Sequence, residues 1–431
     1  LMANTYLKRS LGTATSNKKG TWSFWVKKSR IGDGMLVGNE VSNDNNRGYI
    51  QFNSSDKLRI IDNDDGGDNC QMITTQTFRD VNAWYHFVFA FDTTQSTASD
   101  RIKWYVNGEQ ITAFDTASYP AQNIDLKIFE GGQTNKYHIG SLNNSGSGSN
   151  FFNGCMSHVH FSDGQQLAPT VFGSTDATTG EWKINTSPSF TLGNNGFTIL
   201  KDGNTITDQS SNSNDFTLGG GTLTKTEDNP SNVFATWNPL QATTSASYTF
   251  EAGNTKVAAN DVAAFSLGAT LAATTGKFYW ETKWVQHGGY DRWGIIPSDA
   301  SVSNTPHITG IAWDESAANL YMLGNVVSGS WGSNMSTSDI IQIALDLDNG
   351  AFYLGVNGTY RNSGNPTSGS SRTGAANFSG TSLSGKFLMP AVGKGNAGTS
   401  GWNTNFGNGY FEQTAVSSAG TNASGIGIFE Y

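Results

Sequence analysis

The residues able to do chemistry are few and scattered. Six histidines occur, His86, His138, His158, His160, His287 and His307, and none falls in an H-E-x-x-H or other metal-binding spacing. His158 and His160 stand two apart, which on a strand puts both on one face, where they could chelate. The plainer reading, two polar residues on a solvated face, is preferred. A retaining glycosidase would show acids two apart on a strand, as in E-x-D-x-x-E. No such motif occurs; Asp346 and Asp348 have the i, i+2 spacing, but they read as part of a hairpin. No Gly-x-Ser-x-Gly elbow or P-loop opens a helix. One acidic loop, Asp62-Asn63-Asp64-Asp65-Gly66-Gly67-Asp68-Asn69, could offer oxygens to Ca2+ through Asp62, Asp64, Asp65 and Asp68. Calcium takes about six to eight hard oxygens. The twelfth position of an EF-hand reading is Ile73 rather than Glu, so a solvated hairpin loop is preferred. The chain is expected to be non-enzymatic and to need no cofactor, with calcium the one metal to test.

Composition narrows the class. Only 14% of the 431 residues are charged, 12% are aromatic, and 51 are Gly, which describes a folded, turn-rich chain rather than a disordered one. The formal net charge is −9, and Lys and Arg never run longer than two. A nucleic-acid partner needs a basic face, and an anionic membrane surface needs a basic cluster, so neither is expected. No window is apolar enough for a transmembrane helix. Cys70 and Cys155 are no disulfide framework and read as two buried free thiols. The last apolar run, at Phe429-Glu430-Tyr431, breaks off mid-strand, so the chain reads as a portion of a longer protein.

The elements are strands. Runs of four to eight residues alternate apolar and polar and close on Gly, Asn or Asp, as in Thr21-Trp22-Ser23-Phe24-Trp25-Val26 and Phe278-Tyr279-Trp280-Glu281-Thr282-Lys283-Trp284-Val285. Asn-Gly, the strongest hairpin signal, appears at Asn107-Gly108, Asn349-Gly350 and Asn357-Gly358. Val-Asn-Gly after an aromatic-rich strand occurs once in each half, which suggests two domains of related topology. Fold class is all-β: two antiparallel β-sandwich (jelly-roll) domains over 1–165 and 236–431. Between them lies a Gly/Ser/Asn-rich connector over 166–235. It keeps isolated apolar residues, Trp182, Phe190, Phe197, Ile199, Leu200 and Phe216, which a free linker would not, so it is expected to pack on the domains.

Three stretches resemble known families. Ala83-Trp84-Tyr85-His86-Phe87-Val88 followed by Trp104-Tyr105-Val106-Asn107-Gly108 resembles the laminin-G-like, concanavalin-A-like jelly roll over about residues 1–165. Gly276-Lys277-Phe278-Tyr279-Trp280-Glu281, with Asp339 to Gly350 and Phe352 to Gly358, resembles a SPRY domain over 236–431. The connector, with Asp163-Gly164-Gln165-Gln166-Leu167-Ala168-Pro169, Gly180-Glu181-Trp182-Lys183 and Asp208 to Phe216, resembles a signature of marine-phage proteins that carry these domains in this order. The resemblance implies a bacteriophage virion protein on the particle exterior, assembled in the host cytoplasm. A tail fibre or receptor-binding role would attach it to host-surface glycan or protein; a head decoration or fibre role would bind other virion proteins, capsid or tail subunits. A glycan depolymerase is disfavoured by the missing carboxylate pair. A homo-oligomer is expected, since virion parts are symmetric arrays, with a trimer for a fibre. In SPRY folds the binding face is made by loops, which points to Tyr290, Trp293, Trp331, Tyr360 and Trp402 as candidate ligand-binding aromatics, with core positions as the alternative for Trp293 and Trp402.

Overall fold

The structure is a computed structural model, and it describes residues 4–40, 45–65, 67–144, 147–201, 205–242, 247–260, 264–333, 335–396, 398–421 and 425–431. The chain divides into two compact units, Leu1–Val233 and Phe234–Tyr431. Both are all-β; strand accounts for 46% and helix for 6%.

The first unit pairs an eight-stranded with a six-stranded antiparallel sheet. The larger runs in the order Phe114–Ser118, Gly67–Thr77, Lys57–Asp64, Arg47–Phe52, Gly34–Glu40, Tyr137–Ile139, Tyr6–Arg9, Thr217–Gly220. The smaller runs Phe197–Ile199, Gly154–Asp163, Lys19–Lys28, Trp84–Asp92, Ile102–Val106, Glu109–Ile111. Alternation decides which face is which. Trp22, Phe24 and Val26 of one strand, and Phe87, Phe89 and Phe91 of its neighbour, enter one core with Ile50, Phe52 and Ile60 of the larger sheet. The intervening Ser23, Trp25 and Lys27, with Trp84 and His86, occupy the opposite face, and all five are buried too. Something must therefore cover that face.

The cover is the Gly/Ser/Asn-rich stretch, which lies within the first unit. Phe197, Ile199, Leu200 and Phe216 join the core. Phe197–Ile199 extends the smaller sheet beside Gly154–Asp163, and Thr217–Gly220 extends the larger beside Tyr6–Arg9. Both cysteines are free, Cys70 buried and Cys155 half-buried.

The second unit repeats the two-sheet plan. One sheet runs Ser247–Glu251, Lys256–Asn260, Ser400–Asn405, Lys277–Gln286, Ile340–Asp346, Ala351–Val356, Thr359–Tyr360, and the other Phe265–Gly268, Leu388–Lys394, Asp291–Pro297, Ile311–Asp314, Asn319–Met322, Asn325–Val326. Their inner faces share a tryptophan-rich core that includes Trp237, Trp280, Trp284, Trp293, Trp313 and Trp402. The Val-Asn-Gly hairpins of the two units use one device. Asn107 and Asn357 both stand at φ 47°, and the following glycines at 84° and 83°, as a type I′ turn requires. Each asparagine also exchanges two hydrogen bonds with a neighbouring strand. Asn107 N donates to His86 O at 2.8 Å while its Oδ1 accepts from His86 N at 2.8 Å; Asn357 does the same with Ile340, at 2.9 and 2.8 Å. Asn349-Gly350 differs: only Gly350 has positive φ, and the turn is held by Asp346, which accepts from Asn349 N at 3.0 Å and Nδ2 at 2.8 Å.

Glu281, fully buried on the outward side of its strand, fastens the last described segment. Its carboxylate accepts from Glu430 N and Tyr431 N, both at 2.9 Å, and from Tyr279 Oη at 2.8 Å. Burial nevertheless pushes its carboxyl above the usual range, against the pull of those donors. Glu281→Ala leaves two part-buried amides and the buried Asn405 Nδ2 without this acceptor, at up to roughly 1–3 kcal/mol each. It should destabilise the second unit by about 2–4 kcal/mol in urea melts and raise amide exchange at 428–431. Unchanged exchange there would contradict the pinning role.

Candidate functional site

The outer face of the six-stranded sheet is held under residues 166–233 at three places. In the first, His86 lies between two indoles: Trp25 at 4.8 Å and 23°, and Trp182 at 5.9 Å and 18°. Trp182 Nε1 donates to His86 Nδ1 at 2.9 Å, and His86 Nε2 meets Ser23 Oγ at 2.9 Å. Indole nitrogen only donates, so Nδ1 must be bare and the neutral ring carries its proton on Nε2. In the second, His160 stacks on Phe172 at 5.7 Å, meets Phe190 edge-on at 5.8 Å, and pairs Nδ1 with Thr198 Oγ1 at 2.9 Å. In the third, Asp228 accepts from Lys27 Nζ at 2.6 Å and from Trp84 Nε1 at 3.0 Å. The side chains of Lys27 and Asp228 are only 3% and 7% exposed, so this is a buried ion pair.

Between these fastenings the cover stands off the sheet and leaves a cleft of about 530 Å3. One wall is the strand Gly154–Asp163, with Cys155, Ser157 and His158; the other is made by Thr186, Ser187 and residues 223–229 and 231. A β-bulge shapes the first wall. The register against Lys19–Lys28 shifts between Ser157 and His160, and His158 takes φ 49° there. A second cavity of about 320 Å3, lined by Phe190, Gln209, Ser210 and Ser211 among others, shares Thr186, Ser187 and Lys201 with the first. Polar groups, hydroxyls foremost, dominate the larger cavity, while the smaller also presents Pro188, Phe190 and Leu192. The larger cavity thus offers hydrogen-bonding groups more than apolar surface.

The residues singled out in the sequence fare differently. Trp293, Trp331 and Trp402 are 1%, 2% and 0% exposed and belong to the core of the second unit, which corrects the reading of them as ligand-binding aromatics. Trp293 and Trp402 point inward from their strands, and Trp331 folds its loop over the core with Nε1 donating to Ser328 O at 3.3 Å. Tyr290 is 41% exposed at φ 55°, while Tyr360 is half-buried beside Tyr353, its hydroxyl pushed up to about 12 by burial with Glu281 adding. No shared site is formed by these five. The acidic loop is likewise dispersed. Asp62 is fully buried and accepts from Asn69 Nδ2 and Ile128 N, both at 2.9 Å, which anchors the turn Lys127–Phe129. Asp64 faces Lys127 at 3.5 Å, Asp65 accepts from Asn46, and Asp68 is exposed. Among the described residues no group of three or more His, Cys, Asp and Glu is placed to hold a metal; Gly66 lies outside them. His160, read as solvated, is instead buried, because the connector covers its face.

Burial sets the protonation of this region. It pushes His86 down to about 3, with His158 adding, and His160 to about 3, with His158 and His86 adding; His138, elsewhere in the unit, is pushed to about 4. An unfolded histidine titrates near 6.5, so between about 6.5 and these values the unfolded chain binds more protons, and stability present at neutral pH is lost as pH falls. Asp62, pushed up to about 6 by burial, acts in the opposite sense, but it is one group against three. The first unit should therefore lose stability from pH 7 to 4.5. His86→Gln, which keeps an acceptor for Trp182, should cut the proton uptake on unfolding by about one. Urea melts across that range measure it; an unaltered slope would exclude His86 as a titrating contributor.

Residues 2–172 match the family model described as Concanavalin A-like lectin/glucanases superfamily, Laminin_G_3. No curated protein matches the chain. Among solved structures the chain is similar to the SPRY domain of human HERC1, at 16% identity and TM-score 0.30, over 39% of this chain and 96% of that one. It is also similar to the native heptameric SAP-like pentraxin from Limulus polyphemus, at 16% identity and TM-score 0.29, over 38% and 71%. Mouse laminin alpha1 chain domains LG4-5 align at 9% identity and TM-score 0.27, over 92% and 84%.

Proposed function

We propose that this chain is a non-enzymatic glycan-binding component on the exterior of a bacteriophage particle, and that the covered face of its first unit holds the sugar. The observation that carries the reading is the hydroxyl- and amide-lined cleft of about 530 Å3 on a jelly roll whose residues 2–172 match the lectin/glucanase model. Binding is favoured over hydrolysis by the state of the carboxylates. Glycosidic cleavage uses two acids flanking the bond. In the cleft both oxygens of Asp228 are engaged by Lys27 and Trp84, and Glu227 faces Lys225 at 3.3 Å. The phage setting rests on the connector signature and the domain order, and a homo-oligomer on the symmetry of virion parts.

Ser187 is exposed and lines both cavities, so Ser187→Trp should block them while leaving the core intact. On a glycan array the variant should lose on the order of tenfold or more in affinity relative to the parent chain. Immunogold labelling of purified virions should place the chain on tail tips at low copy. Label spread over the head would assign it to decoration instead, and absence from virions would remove the phage reading and leave a lectin-like module.

A further inference from the structure

The two cavities are unequal in charge. In the larger one, both lining carboxylates are paired: Asp228 with Lys27 at 2.6 Å, and Glu227 with Lys225 at 3.3 Å. Among the described residues the smaller cavity is lined by no carboxylate. Its two ionisable residues are His160, whose ring is held neutral under Phe172 and Phe190, and Lys201. Lys201 lines both cavities, is half-buried, and has no ion-pair partner among the described residues. The same cavity is lined by Ser187, Ser189 and Ser211 and by the ring of Phe190. A chain of net charge −9 thus lines a cavity that has serine hydroxyls and an aromatic wall with one lysine that has no ion-pair partner among the described residues. A neutral sugar would use the hydroxyls and the ring but leave the ammonium with water alone. A sugar bearing one carboxylate or sulfate would use all three, and a charge-assisted contact is about twice as strong as a neutral one.

We infer that the joined cavities recognise an acidic glycan, one anionic sugar unit seating its carboxylate or sulfate on Lys201 with the neighbouring sugars running into the larger cleft. This rests on the glycan-binding reading above and narrows it to a ligand class. The half-buried setting of Lys201 matters, because a fully exposed lysine would be screened by salt and contribute little.

The test uses the full chain on an array carrying uronate, sulfated and neutral oligosaccharides of matched length, followed by calorimetric titration of the strongest binder. Lys201→Gln and Lys201→Glu are compared with the parent after thermal melts establish that they fold. The expected result is binding drawn from the acidic members, weakened about 10- to 100-fold by Lys201→Gln and further by Lys201→Glu. Uronate and sulfate members tell the two anions apart. Acidic binding unaltered in a folded Lys201→Gln would overturn the assignment. Binding confined to neutral members would overturn it while leaving the glycan reading intact. No binding to any member would overturn the glycan reading and this inference with it.

Discussion

A lysine on the outer face of a sheet is ordinarily solvated; here Lys27 is buried, and the first unit depends on its compensation. The carboxylate comes from Asp228, some two hundred positions later in the chain. Bringing a charge pair out of water costs several kcal/mol per ion, recovered only with good geometry and further hydrogen bonds. Asp228 meets that condition by taking Trp84 Nε1 on its second oxygen. The pair is therefore poor evidence of net stability but strong evidence of register: only one placement of residues 223–231 satisfies it. Trp182 on His86, and Phe172 with Phe190 on His160, then align the earlier part of the cover. The cleft is what remains between fixed points.

The second unit solves a similar problem with an uncompensated acid. Among the described residues no cation pairs with Glu281; its carboxylate is satisfied by two backbone amides, a tyrosine hydroxyl and Asn405 Nδ2 at 3.3 Å. Gln342 Nε2 donates to the same tyrosine at 3.0 Å, so the segment 428–431 is tied through a chain of neutral donors. In both units a buried carboxylate on or against an outward sheet face holds a late segment in place. The difference is chemical. Asp228 is matched by an opposite charge, whereas Glu281 is held only by dipoles, and desolvation accordingly raises its carboxyl.

Much of this was legible in the sequence, and the boundary of legibility is physical. Period-two alternation located the strands that form both cores, because inward and outward positions differ in polarity along one local run. The hairpins at Asn107-Gly108 and Asn357-Gly358 followed from backbone strain that few residues tolerate. Alternation could not tell whether an outward face meets water or another layer. That is why His160 read as solvated, and why Trp293 and Trp402 could be placed either at a loop or in the core. The apolar residues kept by the connector were the available signal that it packs, yet they do not name the cleft. Lys201, Ser187 and Asp228 become neighbours of the sheet only after long-range closure, and no local spacing encodes that.

The same closure couples binding to the state of the cover. The cleft has one wall on Gly154–Asp163 and the other on residues 186–187 and 223–231, so a ligand touching both binds only the closed arrangement. Such a ligand stabilises closure by an amount set by its concentration relative to its dissociation constant. Protons act in reverse. His86 can accept a second proton only by giving up the hydrogen bond from Trp182, since the imidazolium has no bare nitrogen left. Ligand and proton therefore compete through the position of one layer, without sharing a contact. By linkage, whatever acid pH takes from closure it also takes from affinity for any ligand that needs both walls.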